Sequence, residues 1–275
     1  MFVLSDEQLN RGYFRGIGGF TLPGESHPKP ENIRKQLKDY KGEERTCVAC
    51  TQLDPRSGFM SLMFECWSKK ELKERIKLTE KQEKRMVQEW VDFLSTNTKT
   101  LKGLHFNSCV PQVLFDAACC QENLEELRCK WGSFSDLSAL EKLKNLKFFY
   151  HDGFRSKIRD ISVLGKLENL IVLHLTGFNK IEDFTPLANL KNLQQLIIIG
   201  TGESKGRRAR LQDLELLREL PKLRSFGFGN VEIYKEYTLE ELADLRASLP
   251  NLIDRFGFFP ALEKKIIKAS RKAEG

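Results

Sequence analysis

The stretch Phe134-Ser-Asp136-Leu137-Ser-Ala-Leu140-Glu-Lys-Leu143-Lys-Asn-Leu146 recurs three more times downstream, in copies that begin at Ile158, Ile181 and Leu211. Each copy reads apolar, any residue, Asp, apolar, and then sets apolar residues, mostly leucine, at every third position. Self-similarity at a fixed period means stacked units that bury one another's apolar edges. Function is therefore expected on a surface shared by the units and not in a catalytic pocket.

A strand is predicted beside each copy from the triplets Leu101/Leu104/Phe106, Leu124/Leu127/Cys129, Leu146/Phe149/His151, Leu170/Leu173/Leu175, Leu193/Leu196/Ile198 and Leu223/Phe226/Phe228. The first leucines of these triplets lie 23, 22, 24, 23 and 30 residues apart. In Leu170-Ile-Val-Leu173-His-Leu175-Thr, alternation sends Leu173 and Leu175 inward and Val172, His174 and Thr176 outward. The segment Phe184-Thr-Pro-Leu187-Ala-Asn-Leu190-Lys-Asn-Leu193 has the three-residue period of a 3₁₀ turn, whose side chains eclipse on one face. Asp136, Asp160, Asp183 and Asp213 precede the four returns. A carboxylate there can accept backbone N–H bonds at a positive helix start. That capping reading is preferred over a carboxylate ladder for a metal.

On these residues the chain, over about residues 101–252, resembles the leucine-rich-repeat family. It resembles in particular the short-repeat class with Asp-led returns found in bacterial cytoplasmic repeat proteins. The resemblance implies an α/β fold: a solenoid with a concave parallel β-sheet, short 3₁₀ or α-helical returns and helical end caps. The family's Asn or Cys position after the strand holds Cys109, Gly132, Phe154, Phe178, Thr201 and Val231 here. An Asn ladder bonding the turn backbones is therefore not expected, and Phe154 and Phe178 are expected to fill the turn as an aromatic stack.

The flanks do not follow the repeat. Residues 1–68 are rich in Gly and Pro early on and read as an irregular capping region, with a strand expected at Phe59-Met-Ser-Leu62-Met-Phe64 and a helix over 31–40. Residues 69–100 read as a helical cap, its helix running from Ser68, with Glu71 three residues on, to about Leu94. Residues 253–275 read as a C-terminal cap around the basic amphipathic helix Pro260-Ala-Leu-Glu-Lys-Lys-Ile266-Ile267-Lys.

The 275-residue chain carries a formal charge of +7 and a pI near 9.0, spread through mixed Lys and Glu. These charges read first as solvated outer faces of the repeats, and nucleic-acid binding is the less favoured reading. The start, Met1-Phe-Val-Leu-Ser-Asp-Glu, lacks the basic start and long apolar run of a secretory signal, and no stretch has the length of a membrane span. Seven cysteines, an odd number, suit a reducing compartment, so the cytoplasm is expected.

Three places in the sequence carry residues of possible chemical use. Cys47-Val-Ala-Cys50 with Cys66 and His27 has donors enough for a zinc site but no second CxxC pair, so no metal and no cofactor is expected. Gly200-Thr-Gly202-Glu-Ser-Lys-Gly206 fits neither phosphate-loop spacing. It leads instead into an exposed basic loop, Lys205, Arg207, Arg208 and Arg210, a candidate secondary contact for an acidic partner, nucleic acid or anionic surface. His105 and His174 face outward and His151 inward, without a catalytic grouping, so the chain is read as a non-enzyme.

What remains is the outward surface of the strands. Its middle row is His105, Arg128, Tyr150, His174, Ile197 and Gly227; the rows beside it are Gly103, Glu126, Phe148, Val172, Gln195, Ser225 and Asn107, Lys130, Asp152, Thr176, Ile199, Gly229. Arg128, Phe148, Tyr150, Val172, His174, Gln195, Ile197 and Ile199 are expected to form a solvent-exposed apolar and aromatic patch that binds another protein. The alternative is that the N-terminal region folds over it. A toxin-neutralising or effector-type adaptor is a narrower form of the same reading, implied by the resemblance alone.

Overall fold

Residues three apart on a tight turn share one face, and here that face supplies the core. The computed structural model describes residues 3–4, 52–54, 59–62, 80–96, 98–99, 101–152, 156–201, 208–254 and 257–273. The chain divides into two compact units, Ile17–Asp152 and Met1–Gly16 with Gly153–Gly275.

In the first unit β1 (Gln52–Asp54) pairs antiparallel with β2 (Phe59–Leu62), and β2 runs parallel to β3 (Gly103–Val110). The parallel run continues through β4 (Glu126–Gly132) and β5 (Phe148–Asp152). The expected strand at residues 59–64 is thus present over Phe59–Leu62, where it pairs along one side of β3. Helix α1 (Glu80–Thr96) is the described part of the expected helical cap, and the proposed start at Ser68 lies outside the described residues, as does the helix expected over 31–40. Gln121, fully buried, ties α1 to the repeats: its Nε2 donates to the Leu94 carbonyl (2.6 Å) and its Oε1 accepts from Leu101 N–H (3.3 Å). Helix α2 (Gln112–Ala118) follows β3, and a 3₁₀ turn (Ser138–Lys142) follows β4.

In the second unit β6 (Val172–Thr176), β7 (Gln195–Ile199) and β9 (Ser225–Gly229) form a parallel run. A short parallel pair, β8 (Ala209–Leu211) with β10 (Val231–Ile233), takes up the long insertion. The 3₁₀ turns are Ser162–Lys166, Thr185–Asn189 and Glu215–Glu219. Helix α3 (Leu239–Ala247) begins with a capping box, in which Glu241 N–H donates to Thr238 Oγ1 (3.1 Å) and Thr238 N–H donates to Glu241 Oε2 (2.9 Å). Helix α4 (Phe258–Ala273) starts two residues before the expected Pro260, because Asp254 accepts the Phe258 and Phe259 N–H groups (3.0 Å each). The ring of Phe258 then meets Phe226 of β9 edge to face at 5.0 Å, which closes the apolar end of the run.

The packing is that of a leucine-rich-repeat solenoid. Strand residues Leu104, Leu127, Phe149, Leu173, Leu196 and Phe226 are buried, as are the turn residues Leu137/Leu140/Leu143, Ile161/Leu164/Leu167, Phe184/Leu187/Leu190 and Leu214/Leu217/Leu220. Each Asp before a 3₁₀ turn accepts the N–H two residues on: Asp136 from Ser138 (2.7 Å), Asp160 from Ser162 (2.7 Å), Asp183 from Thr185 (2.8 Å) and Asp213 from Glu215 (2.9 Å). These bonds satisfy donors that the first turn leaves orphaned. At Asp160 they also draw the carboxyl below its ordinary range.

One expectation is corrected. An Asn ladder is present, at the residue before the first strand leucine and not after the strand. Asn123 Nδ2 donates to the Lys99 carbonyl (2.9 Å), Asn145 to Glu122 (3.0 Å), Asn192 to Glu168 (2.8 Å) and Asn251 to Pro221 (3.0 Å), each reaching one repeat back. A side-chain amide at that spacing has the N–H donor that a turn carbonyl of the preceding repeat can accept. Lys222 stands where the ladder would have its next Asn and donates to Asn192 Oδ1 instead (2.6 Å). The expected aromatic stack is only partly describable. Phe154 lies outside the described residues, Phe178 is fully buried, and the stack that is seen joins Phe115 and Phe134, centroids 4.1 Å apart.

Neighbouring returns in the second unit approach so closely that a Cβ on Gly165 would lie 2.5 Å from the Pro186 carbonyl oxygen. Gly165→Ala should therefore destabilise the protein by about 1–3 kcal/mol, because backbone must move to admit it. Asn192→Ala should cost about 1 kcal/mol by leaving the Glu168 carbonyl without its donor. Urea unfolding of both variants checks these values, and wild-type midpoints would contradict the close stacking.

Candidate partner-binding face

Hydrogen-bond register brings the outward residues together in rows as expected within each unit. In the first unit Gly103, Glu126 and Phe148 are partners, and Arg128 is the partner of Tyr150. In the second, Val172 pairs with Gln195 and Ser225, His174 with Ile197 and Gly227, and Thr176 with Ile199 and Gly229. The Asn107 row is broken in the first unit, where a bulge between Phe106 and Cys109 shifts the register.

The rows are not uniformly wet, and here the expected exposure is corrected. At the N-terminal ends of the strands Glu126, Val172, Gln195 and Ser225 are fully buried and Phe148 is 6% exposed. His174 and Ile197 in the middle row are 6% and 7% exposed. Half-buried side chains appear in the middle row of the first unit, Arg128 and Tyr150, and toward the C-terminal ends, Asp152 in the first unit and Thr176 and Ile199 in the second. Alternation sets which way a side chain points but does not set whether something lies over it. In the second unit Leu4, itself 2% exposed, lies at the N-terminal end of the strands. Leu4 N–H donates to Gln194 Oε1 (3.1 Å) and the Leu4 carbonyl accepts from Arg224 Nη1 (2.6 Å).

In the first unit the Arg128 guanidinium carbon lies 4.9 Å from the centre of the Tyr150 ring, so adjacent strands present a stacked cation and aromatic. Immediately before these two strands, Lys147 Nζ and Glu125 Oε2 form an ion pair at 2.9 Å. In the second unit His174 Nε2 hydrogen-bonds Thr176 Oγ1 along its own strand (3.1 Å). The side chain of His105 lies outside the described residues.

His151 occupies an inward strand position usually held by leucine. Its ring lies against Phe134 with centroids 4.7 Å apart, and its Nδ1 bonds the Cys129 carbonyl (3.4 Å). Burial pulls the imidazole down to about 4, against the upward pull of that carbonyl. Burial likewise pushes the Cys119 and Cys129 thiols up, so both are inert protonated side chains. Among the described residues no group of three or more His, Cys, Asp or Glu could hold a metal. Cys47, Cys50, Cys66 and His27 lie outside them.

Of the basic loop, Lys205 and Arg207 lie outside the described residues, while Arg208 and Arg210 are exposed. Arg210 sits opposite Glu232 in the β8–β10 pair, which offsets its charge. A second basic face, which carries Lys264, Lys265, Lys268 and Arg271 around the partly exposed Ile267, lies on α4. No described helix is long and apolar enough to cross a membrane.

No family model matches this chain, and no curated protein does. Among solved structures, internalin C2 of Listeria monocytogenes str. 4b F2365 is 25% identical over 60% of this chain and 72% of that one, with a TM-score of 0.40. An internalin (inlF) of the same strain is 18% identical over 82% and 67%, with a TM-score of 0.41. The plant peptide hormone receptor RGFR1, in complex with RGF2, is 15% identical over 60% and 29%, with a TM-score of 0.38. With scores this low, the fold stands on the strand register and turns described above.

The acid response of His151 follows from its burial. The unfolded chain binds a proton near pH 6.5 and the folded chain near 4, so stability is full above 6.5 and is lost as pH falls toward 4, by up to roughly 3 kcal/mol. His151→Leu should flatten this limb between pH 6.5 and 4 in chemical unfolding. An unchanged slope would mean that the ring is protonated in the fold.

Proposed function

We propose that this chain is a non-enzymatic protein–protein interaction module that binds a partner protein through the outward face of its strands. The observation that carries the reading is the Arg128–Tyr150 stack, a half-buried cation and aromatic side by side on neighbouring strands. Arg and Tyr are the residue types that most often anchor protein interfaces, since each buries a large area with few rotors to order. In the second unit Ile199 is the apolar anchor open to a partner, with His174 and Ile197 beside it. Phe148 in the first unit, and Val172 and Gln195 in the second, also point outward but are buried, and a partner reaches them only where what covers them is displaced. The free thiols Cys119, Cys120 and Cys129 suit the reducing compartment in which we place the protein.

Tyr150→Ala and Arg128→Ala should each weaken capture of the native partner from lysate by roughly tenfold or more, in line with about 2 kcal/mol for an interface anchor. Their thermal stability should stay close to that of the wild type, because both side chains are only half buried. Capture that survives both substitutions in folded protein would move the site off this face.

A further inference from the structure

The residue after the first leucine of each strand triplet forms an edge row, and the two units complete it differently. In the first unit the row closes on itself through the Glu125–Lys147 ion pair. In the second the row is Ile171, Gln194 and Arg224, which has no pair of opposite charges to close it. Gln194 and Arg224, from neighbouring repeats, turn instead to one residue of the chain's own N-terminal segment. The amide oxygen of Gln194 takes the Leu4 N–H and the guanidinium of Arg224 takes the Leu4 carbonyl. Both polar groups of that residue are read while its side chain is buried and Val3 beside it stays 60% exposed. This is how a site holds an extended peptide with one apolar anchor: backbone bonds for affinity, a covered side chain for selection. Next to Arg224, the Ser225 hydroxyl is fully buried and has no hydrogen-bond partner among the described residues. A buried hydroxyl left so is costly, and it is available to a ligand that supplies a partner.

We propose that Gln194, Arg224 and Ser225 form a clamp for an extended peptide with an apolar side chain, occupied in cis by Val3–Leu4, and that this segment is an exchangeable internal ligand. Its departure opens the N-terminal ends of β6, β7 and β9, where Val172 and Gln195 are buried, to an extended apolar segment of a partner protein. The inference rests on the reading of this face as a protein-binding surface and adds the kind of partner and the element that guards the site. The physical requirement is modest. Among the described residues, two hydrogen bonds and one leucine hold the occupant, so a competitor with the same features can match them, and the cis segment lowers its apparent affinity by occupying the site first.

A fluorescein-labelled synthetic peptide of sequence MFVLSDEQLN, titrated into the full chain and followed by anisotropy, tests this. Leu4→Asp should release the chain's own segment and bind the labelled peptide at least tenfold more tightly than the wild type does. Adding Arg224→Ala to that variant should reverse the gain by a similar factor, and adding Gln194→Ala should do so in part. The proposal is overturned if folded Leu4→Asp protein binds the peptide no better than the wild type, or if Arg224→Ala leaves the gain intact. It is equally overturned if Leu4→Asp unfolds the protein, since a segment the fold cannot lose is not an exchangeable ligand. None of these substitutions touches Arg128 or Tyr150, so failure here leaves partner capture through those residues to stand or fall separately.

Discussion

Among the described turns of this chain, backbone carbonyls are reached by side-chain amides from one repeat on. Asn145 donating to Glu122 and Asn192 donating to Glu168 are instances of that one constraint. A bond of fixed length between successive turns fixes how far apart the turns sit, and with it the register of the strands and the depth of the leucines. The Asp carboxylates act at the other end of each 3₁₀ turn, where they take the N–H two residues on. Together the two sets leave the turns so close that Gly165 has no room for a Cβ. The hydrophobic core supplies most of the driving force, but these polar bonds decide that neighbouring repeats meet in only one way.

Much of this was legible in the amino-acid sequence, because the leucine spacing and the Asp positions are local signals with a direct geometric meaning. The strand triplets, the inward turn residues and the outward rows of each unit all follow from alternation and a three-residue period. The Asn ladder was not expected, although its residues stand in Leu143-Lys-Asn-Leu146 and Leu190-Lys-Asn-Leu193, because it lies before the strand and not at the position after it. What alternation could not supply was cover. Val172 and Gln195 point outward and yet are fully buried, and the clasp of Gln194 and Arg224 on Leu4 joins residues 190 and 220 positions apart, which no local pattern encodes. His151 shows the complementary limit, since its inward position was readable but the downward pull on its imidazole arises from neighbours, Phe134 and Cys129, that come together only in the fold.

The uneven burial of the outward face shapes what it can do. Half-buried outward side chains begin in the middle row of the first unit and at the C-terminal ends of the strands in the second, whereas those at the N-terminal ends are buried, and in the second unit Leu4, held among the described residues by Gln194 and Arg224, lies at that end. A surface of this kind offers a permanent set of anchors and a guarded set. On the proposed reading the guarded set would come into play through competition, which would make occupancy sensitive to the local concentration of a partner segment.

The central claim is that strand residues alternate between a core shared by successive repeats and an outward face, and paired charge substitutions on one strand test it most directly. Leu173 is fully buried and Thr176, on the same strand, is half-buried and points the other way. Circular dichroism melts of Leu173→Asp and Thr176→Asp should separate sharply. The account predicts loss of the cooperative transition for Leu173→Asp, because an unpaired charge would enter the core, and a near wild-type melt for Thr176→Asp. Equal melts for the two variants, or a milder effect at Leu173, would contradict it.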